Sequence, residues 1–166
     1  MAAVTSPYLG AAELRDLVEE FRAEPERWRH LVRHEPDHRV FVPLHEDDRV
    51  VAWVICWSEE QDTGFHDHDG SAAAIAVVEG EIREDRLTIG GPAVEATYGP
   101  GDSFELGPST IHRVLHTGHA PAVTIHAYSP PLRRMGVYAI APDGTLLREP
   151  VDDDEELRPL IVALSS

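Results

Sequence analysis

The chain has 166 residues, with 14 Lys and Arg set against 30 Asp and Glu for a formal net charge of −16. That length suits one compact domain with its own core, and so acidic a surface repels phosphate backbones and anionic lipid, so neither nucleic acid nor a membrane is expected as a partner. Lysine and asparagine are absent and Cys56 is the single cysteine, which excludes Schiff-base and P-loop lysine chemistry, a Cys-His-Asn triad, an intramolecular disulfide and a cysteine-based zinc cluster.

In chain order, Leu14, Leu17, Val18 and Phe21 recur at helical spacing, so residues 11–22 are predicted to form an amphipathic helix. Pro25 suits the first turn of a second short helix carrying Trp28, Leu31 and Val32, which Pro36 ends. From Arg39 onward the period changes. Residues 50–57 are a continuous apolar, β-branched and aromatic run and read as a buried strand. Further short strands are predicted at 72–78, 81–89, 94–98, 103–106, 111–115, 122–128 and 136–140. Glycine and proline turns separate them, among them Glu79-Gly80, Gly99-Pro100-Gly101 and Gly107-Pro108. Many short strands so punctuated point to an all-β barrel or jelly roll, with the N-terminal helices packed outside. The expected division is one domain: helices over 1–36, barrel over 37–150 and a C-terminal tail over 151–166. The acidic run 152–156 in that tail reads as a solvated turn. No apolar stretch approaches the ~20 residues of a membrane span, and the N-terminus shows no basic and apolar signal segment. A cytoplasmic protein is expected, as a monomer or weak homo-oligomer.

Ten histidines are many for this length. The sharpest local feature is Gly64-Phe65-His66-Asp67-His68. In a strand, residues i and i+2 share a face, so His66 and His68 stand side by side as half of a metal site. A third ligand must come from elsewhere, and His112 is the best candidate, at the start of a strand just after Gly107-Pro108. Thr124, His126 and Tyr128 also share one strand face; alternation alone leaves open whether that face, or the one carrying Val123, Ile125 and Ala127, points inward.

The two histidine segments resemble the paired motifs of the cupin superfamily, a small double-stranded β-barrel with a metal inside. The glutamate usual in the first cupin motif is missing near Ala72 and Ala73, which leaves three neutral imidazoles, a set suited to anionic ligands. The closer resemblance is to the cysteine dioxygenase family, the thiol dioxygenase branch, which lacks that glutamate too. It rests on His66-Asp67-His68-Asp69-Gly70-Ser71 running to Glu79-Gly80-Glu81-Ile82-Arg83-Glu84, then on Ile111-His112-Arg113-Val114 and Thr124-Ile125-His126-Ala127-Tyr128-Ser129-Pro130-Pro131. It spans roughly 37–140.

That resemblance implies that His66, His68 and His112 bind Fe(2+) and that Thr124, His126 and Tyr128 form a catalytic hydrogen-bonding network beside it. It also implies a cis Ser129–Pro130 bond and assigns Arg39 to the substrate carboxylate, a pairing that the guanidinium fork suits. Asp37 stands where the family has an aromatic residue, and Ala73 where animal members have the cysteine of a cysteine–tyrosine crosslink, so none can form. Cys56 reads as a core residue. His30, His34, His38, His45, His116 and His119 read as surface or capping residues, with His116 the one placed to approach the site. The expected activity is oxidation of L-cysteine by O2 to cysteine sulfinate. The alternatives are a dioxygenase for 3-mercaptopropionate or another small thiol, or a non-catalytic metal- or ligand-binding cupin; the third weighed, a zinc or manganese cupin isomerase, fits the histidine set less well.

Overall fold

The computed structural model describes residues 5–160. Helix α1 (Ala11–Ala23) places Leu14, Val18 and Phe21 on one buried stripe, as the spacing predicts. Its backbone start is closed by Glu13, whose Oε2 accepts the Gly10 N–H at 2.8 Å. The second helix is shorter than expected: α2 (Pro25–Trp28) gives way to a 3-10 turn over Arg29–Leu31, which leaves Val32 extended.

Eleven strands follow among the described residues: β1 (Val40–Glu46), β2 (Val51–Trp57), β3 (His66–Asp67), β4 (Ala72–Glu79), β5 (Glu81–Arg86), β6 (Val94–Tyr98), β7 (Ser103–Leu106), β8 (His112–Thr117), β9 (Ala122–Ser129), β10 (Arg134–Ile140) and β11 (Leu146–Asp152). They form two antiparallel sheets, ordered β1-β2-β9-β4-β7 and β11-β10-β3-β8-β5-β6. Strand β5 stops three residues short of the predicted 89, and the Ile89 side chain is fully exposed in the loop beyond it. At the β4–β5 turn Gly80 has φ +70°, and a Cβ there would lie 2.5 Å from the Pro121 carbonyl oxygen, so only glycine fits.

Two apolar layers result. One fills the space between the sheets, with Ile75, Ile82, Phe104, Leu106 and Val114. The other lies under α1, where Val54, Ala74, Ala76, Val123, Ile125 and Ala127 meet Leu14, Val18 and Phe21. The small residues on β4 let the helix approach the sheet. The five-stranded sheet is therefore buried on both faces, and Cys56 sits in the helix-side layer as a core thiol. No helix among the described residues is long and apolar enough to cross a membrane.

Candidate metal centre

Strand β3 is only two residues long and lies between β8 and β10. Its pairing sets His66 directly opposite His112, and cross-strand partners stand only about 5 Å apart. His68 falls just beyond the strand, where Ser71 N–H closes a turn onto its carbonyl at 3.1 Å. The three rings still converge: centroids are 4.6 Å apart for His66 and His112, 5.0 Å for His66 and His68, and 5.1 Å for His68 and His112. One ring nitrogen from each lies within 4.8 Å of the others, and all three side chains are buried.

These imidazoles suit a divalent transition metal. Burial, reinforced by the neighbouring rings, pushes His66 and His68 well below the ordinary histidine range, so they stay neutral with a lone pair to give. His66 Nδ1 lies 3.0 Å from the Gly64 carbonyl. A carbonyl can only accept, so Nδ1 carries the hydrogen and the Nε2 lone pair is free. The Nδ1 atoms of His68 and His112 are buried without a hydrogen-bond partner among the described residues; Glu84 Oε2 stands 3.8 Å from the latter, too far for a hydrogen bond. Three buried imidazoles within reach of one another, with no carboxylate among them, fit a divalent first-row transition metal.

Asp67, between His66 and His68, points the other way. It accepts hydrogen bonds from Arg148 Nε at 3.0 Å and Nη2 at 3.1 Å, from the Gly136 N–H at 3.0 Å and from the Tyr138 hydroxyl. Burial opposes its ionisation, but the bonds from Arg148 and Tyr138 hold its pKa down to about 2. Arg148 lies so flat over Gly136 that a Cβ there would meet its Nε at 2.1 Å. Strand β11, which carries Arg148, was not among the predicted strands. It is an edge strand with almost no buried face and with Pro150 inside it, so no apolar pattern marks it.

The question left open by the alternation of β9 is answered by α1. The helix covers Val123, Ile125 and Ala127, so Thr124, His126 and Tyr128 face the barrel interior. Thr124 Oγ1 lies 2.8 Å from His126 Nε2, and His126 Nδ1 lies 3.0 Å from Tyr128 Oη. Burial pushes the His126 pKa down to about 3, aided by His112 and Arg39, and raises that of the Tyr128 phenol. The Tyr128 ring packs against His68 with centroids 5.0 Å apart. The Ser129–Pro130 peptide bond is cis.

Arg39 lines the same cavity of about 50 Å3 as His66, His126 and Tyr128. Its guanidinium lies 5.0 Å over the Trp57 ring and donates to the Leu157 carbonyl. Its backbone N–H donates to Glu156 Oε1 at 2.8 Å, and Nη1 is 3.8 Å from the same oxygen. Burial draws its pKa down to about 10 against the opposing pull of Glu156. The acidic run is thus a correction: it does turn, but its last member points inward to Arg39, and Asp153 and Glu155 also line the cavity. Asp37 is exposed and outside it. His116 is buried but turned away, its Nε2 donating to the Ala120 carbonyl at 2.7 Å, and it does not line the cavity. His45 and His119 pair with Asp47 and Glu59 at the surface. Sequence reading missed Trp57, whose indole Nε1–H donates to Thr124 Oγ1 at 2.9 Å. It also missed Arg148 and Glu156; only the acidic run hinted at the last.

The barrel with three imidazoles gathered inside it defines a cupin fold with a candidate metal site, and solved structures agree on the fold. A protein of Thermus thermophilus aligns at TM-score 0.56 and 21% identity over 62% of this chain and 93% of its own. An uncharacterized conserved protein with a double-stranded beta-helix domain from Klebsiella pneumoniae aligns at 0.54 and 15% over 72% and 91%. A cupin superfamily protein from Desulfitobacterium hafniense aligns at 0.52 and 13% over 62% and 87%. The family is narrower than the fold. The family model described as Cysteine dioxygenase type I matches residues 4–140, and the chain belongs to that family of enzymes. Cysteine dioxygenase type 1 of Danio rerio is 24% identical over 139 residues, 77% of this chain and 69% of the relative.

Proposed function

We propose that the protein is a ferrous-iron thiol dioxygenase that oxidises L-cysteine to cysteine sulfinate. One observation carries this reading: His66, one of three buried imidazoles that lie within reach of one another, lines the same small cavity as Tyr128 and Arg39. The reaction adds both atoms of O2 to sulfur. Sulfur loses four electrons and dioxygen gains four, so no further reductant is required. His66, His68 and His112 would hold the iron, which supplies a one-electron partner for dioxygen and acidity for the thiol.

The chain's own residues do the rest. Phe41, Trp53, Ile55 and Met135 give the cavity apolar walls. Arg39 makes one side-chain hydrogen bond among the described residues, to Leu157, and its remaining N–H groups are available to a substrate carboxylate. Asp153 and Glu155 present negative charge that suits the ammonium group of an amino acid. Tyr128, kept protonated by burial, holds a hydrogen at the place where the thiol and dioxygen meet. A second reading, oxidation of 3-mercaptopropionate, is favoured by the placing of Asp37 outside the cavity, where it cannot replace the family's aromatic contact to the amine.

The test is oxygen uptake by the iron-loaded protein with cysteine, 3-mercaptopropionate and cysteamine, with products identified by mass spectrometry. Arg39→Ala removes the carboxylate partner from a buried site, a loss of about 2–5 kcal/mol or some 30- to 5,000-fold. That loss should fall on the two acids and spare cysteamine, which has no carboxylate. Equal losses on all three thiols would make Arg39 structural. No uptake with any of them would leave a non-catalytic metal-binding cupin.

A further inference from the structure

The hydrogen bonds behind Tyr128 can be read for direction as well as for distance. Thr124 is fully buried, and its hydroxyl has two partners among the described residues, Trp57 Nε1 at 2.9 Å and His126 Nε2 at 2.8 Å. An indole nitrogen is a donor and never an acceptor. The Thr124 hydrogen therefore has one place to go, His126 Nε2. That nitrogen must then be the bare one of the neutral imidazole, and the ring hydrogen sits on Nδ1, which points at Tyr128 Oη 3.0 Å away. The tyrosine oxygen receives this hydrogen bond and keeps its own hydrogen for the cavity. The reverse direction, Tyr128 to His126 to Thr124, would leave the buried Thr124 hydrogen with no acceptor.

We infer that Trp57 and Thr124 are positioning residues that give this chain a single direction, from the indole through Thr124 and His126 to Tyr128, so that Tyr128 faces the bound thiol and dioxygen as a hydrogen-bond donor. Threonine alone does not fix the direction. An acceptor in place of the indole N–H would let the Thr124 hydrogen turn away from His126 and the whole chain reverse. The part that concerns thiol and dioxygen rests on the function proposed above; the direction itself does not.

The experiment is nitrogen NMR of the zinc-loaded, 15N-histidine-labelled protein, with His126 assigned by comparison with His126→Gln. Wild type should show His126 as one tautomer, protonated at Nδ1 and bare at Nε2. Trp57→Gln puts an amide oxygen near the Thr124 hydroxyl and should move the ring hydrogen to Nε2. Thr124→Val keeps the volume but removes the donor to Nε2, and should replace the single tautomer by a mixture, while Thr124→Ser retains the wild-type spectrum. Thr124 does not line the cavity, so with iron and cysteine Thr124→Val should lower kcat, by up to roughly 10²-fold, and leave KM in place. A wild-type His126 protonated at Nε2 overturns the inference outright. So does an unchanged Nδ1 tautomer in Thr124→Val, the variant that decides the matter should Trp57→Gln fail to fold. No thiol enters the NMR measurement, so its failure is separate from a wrong substrate or reaction.

Discussion

Moving the metal-free protein from pH 7.5 to pH 5.5 should lower its folding stability by about 4 kcal/mol. His66, His68 and His126 are each buried, with pKa values held below the ordinary 6.5, that of His126 at about 3. In the unfolded chain they titrate normally. The unfolded state therefore binds more protons than the folded one below pH 6.5, and the stability these rings leave intact above that pH is lost as the pH falls. At pH 5.5 an unfolded histidine is protonated about ten to one, and a folded ring that stays neutral forgoes RT ln 11, about 1.4 kcal/mol. Three rings give about 4 kcal/mol; at pH 7.5 their combined effect is only about 0.2 kcal/mol. Asp67 adds little in this window, since its carboxylate stays ionised in both states above about pH 5. The assay is urea unfolding of chelator-treated protein at both pH values, followed by fluorescence of Trp28, Trp53 and Trp57. His126→Phe should reduce the pH difference by about a third, or about 1.4 kcal/mol. A midpoint that stays fixed between pH 7.5 and 5.5 would refute the reasoning, because it would mean that these imidazoles reach solvent or bind protons in the folded state.

Three further outcomes are expected. His66→Ala, His68→Ala and His112→Ala should each lose most bound iron by elemental analysis while keeping the wild-type circular dichroism spectrum; full iron in His112→Ala would move the third ligand elsewhere. Tyr128→Phe should keep its iron while sulfinate formation drops by roughly 10²–10⁴-fold, and an unchanged rate would remove the hydroxyl from the chemistry. Arg148→Met releases Asp67 between His66 and His68 and should weaken zinc binding about 10- to 100-fold by competition with a chromogenic chelator; equal affinity would show that the turn holds its shape without the arginine.

The strands of the two buried layers were legible because their residues are apolar, β-branched and cut by glycine and proline, and α1 was legible from four apolar positions. Strand β1 was not among the predicted strands, since Pro43 and a register shift between Pro43 and His45 interrupt its pattern. Strand β11 has almost no buried face to leave a period. The histidine triad was legible as a half-site and a candidate third ligand; that they meet depends on the pairing of β3 with β8, a contact between residues 46 positions apart that no local pattern encodes. The inward face of β9 could not be read from β9, because α1 makes both faces dry. Trp57 looked like any core aromatic, and its nitrogen acquires meaning only from the hydroxyl it reaches on a neighbouring strand. Glu156 was hidden by its company: four acidic neighbours made it look like ordinary solvent-facing charge.

The two halves of the centre belong to different sheets. His66 and His112 ride on the six-stranded sheet, and Thr124, His126 and Tyr128 on the five-stranded one. Among the described residues no strand pairing joins the two sheets, so the gap between imidazoles and phenol is set by side-chain packing between the layers, the contact of Tyr128 with His68 included. Ile75, Ile82, Phe104 and Leu106 act there as spacers whose thickness sets a working distance. Such interiors are close-packed and yield little, and a reactive geometry tolerates errors well under 1 Å. A methyl group gained or lost in the filling, far from any histidine, thus adjusts the reach of the tyrosine as a shim adjusts a bearing.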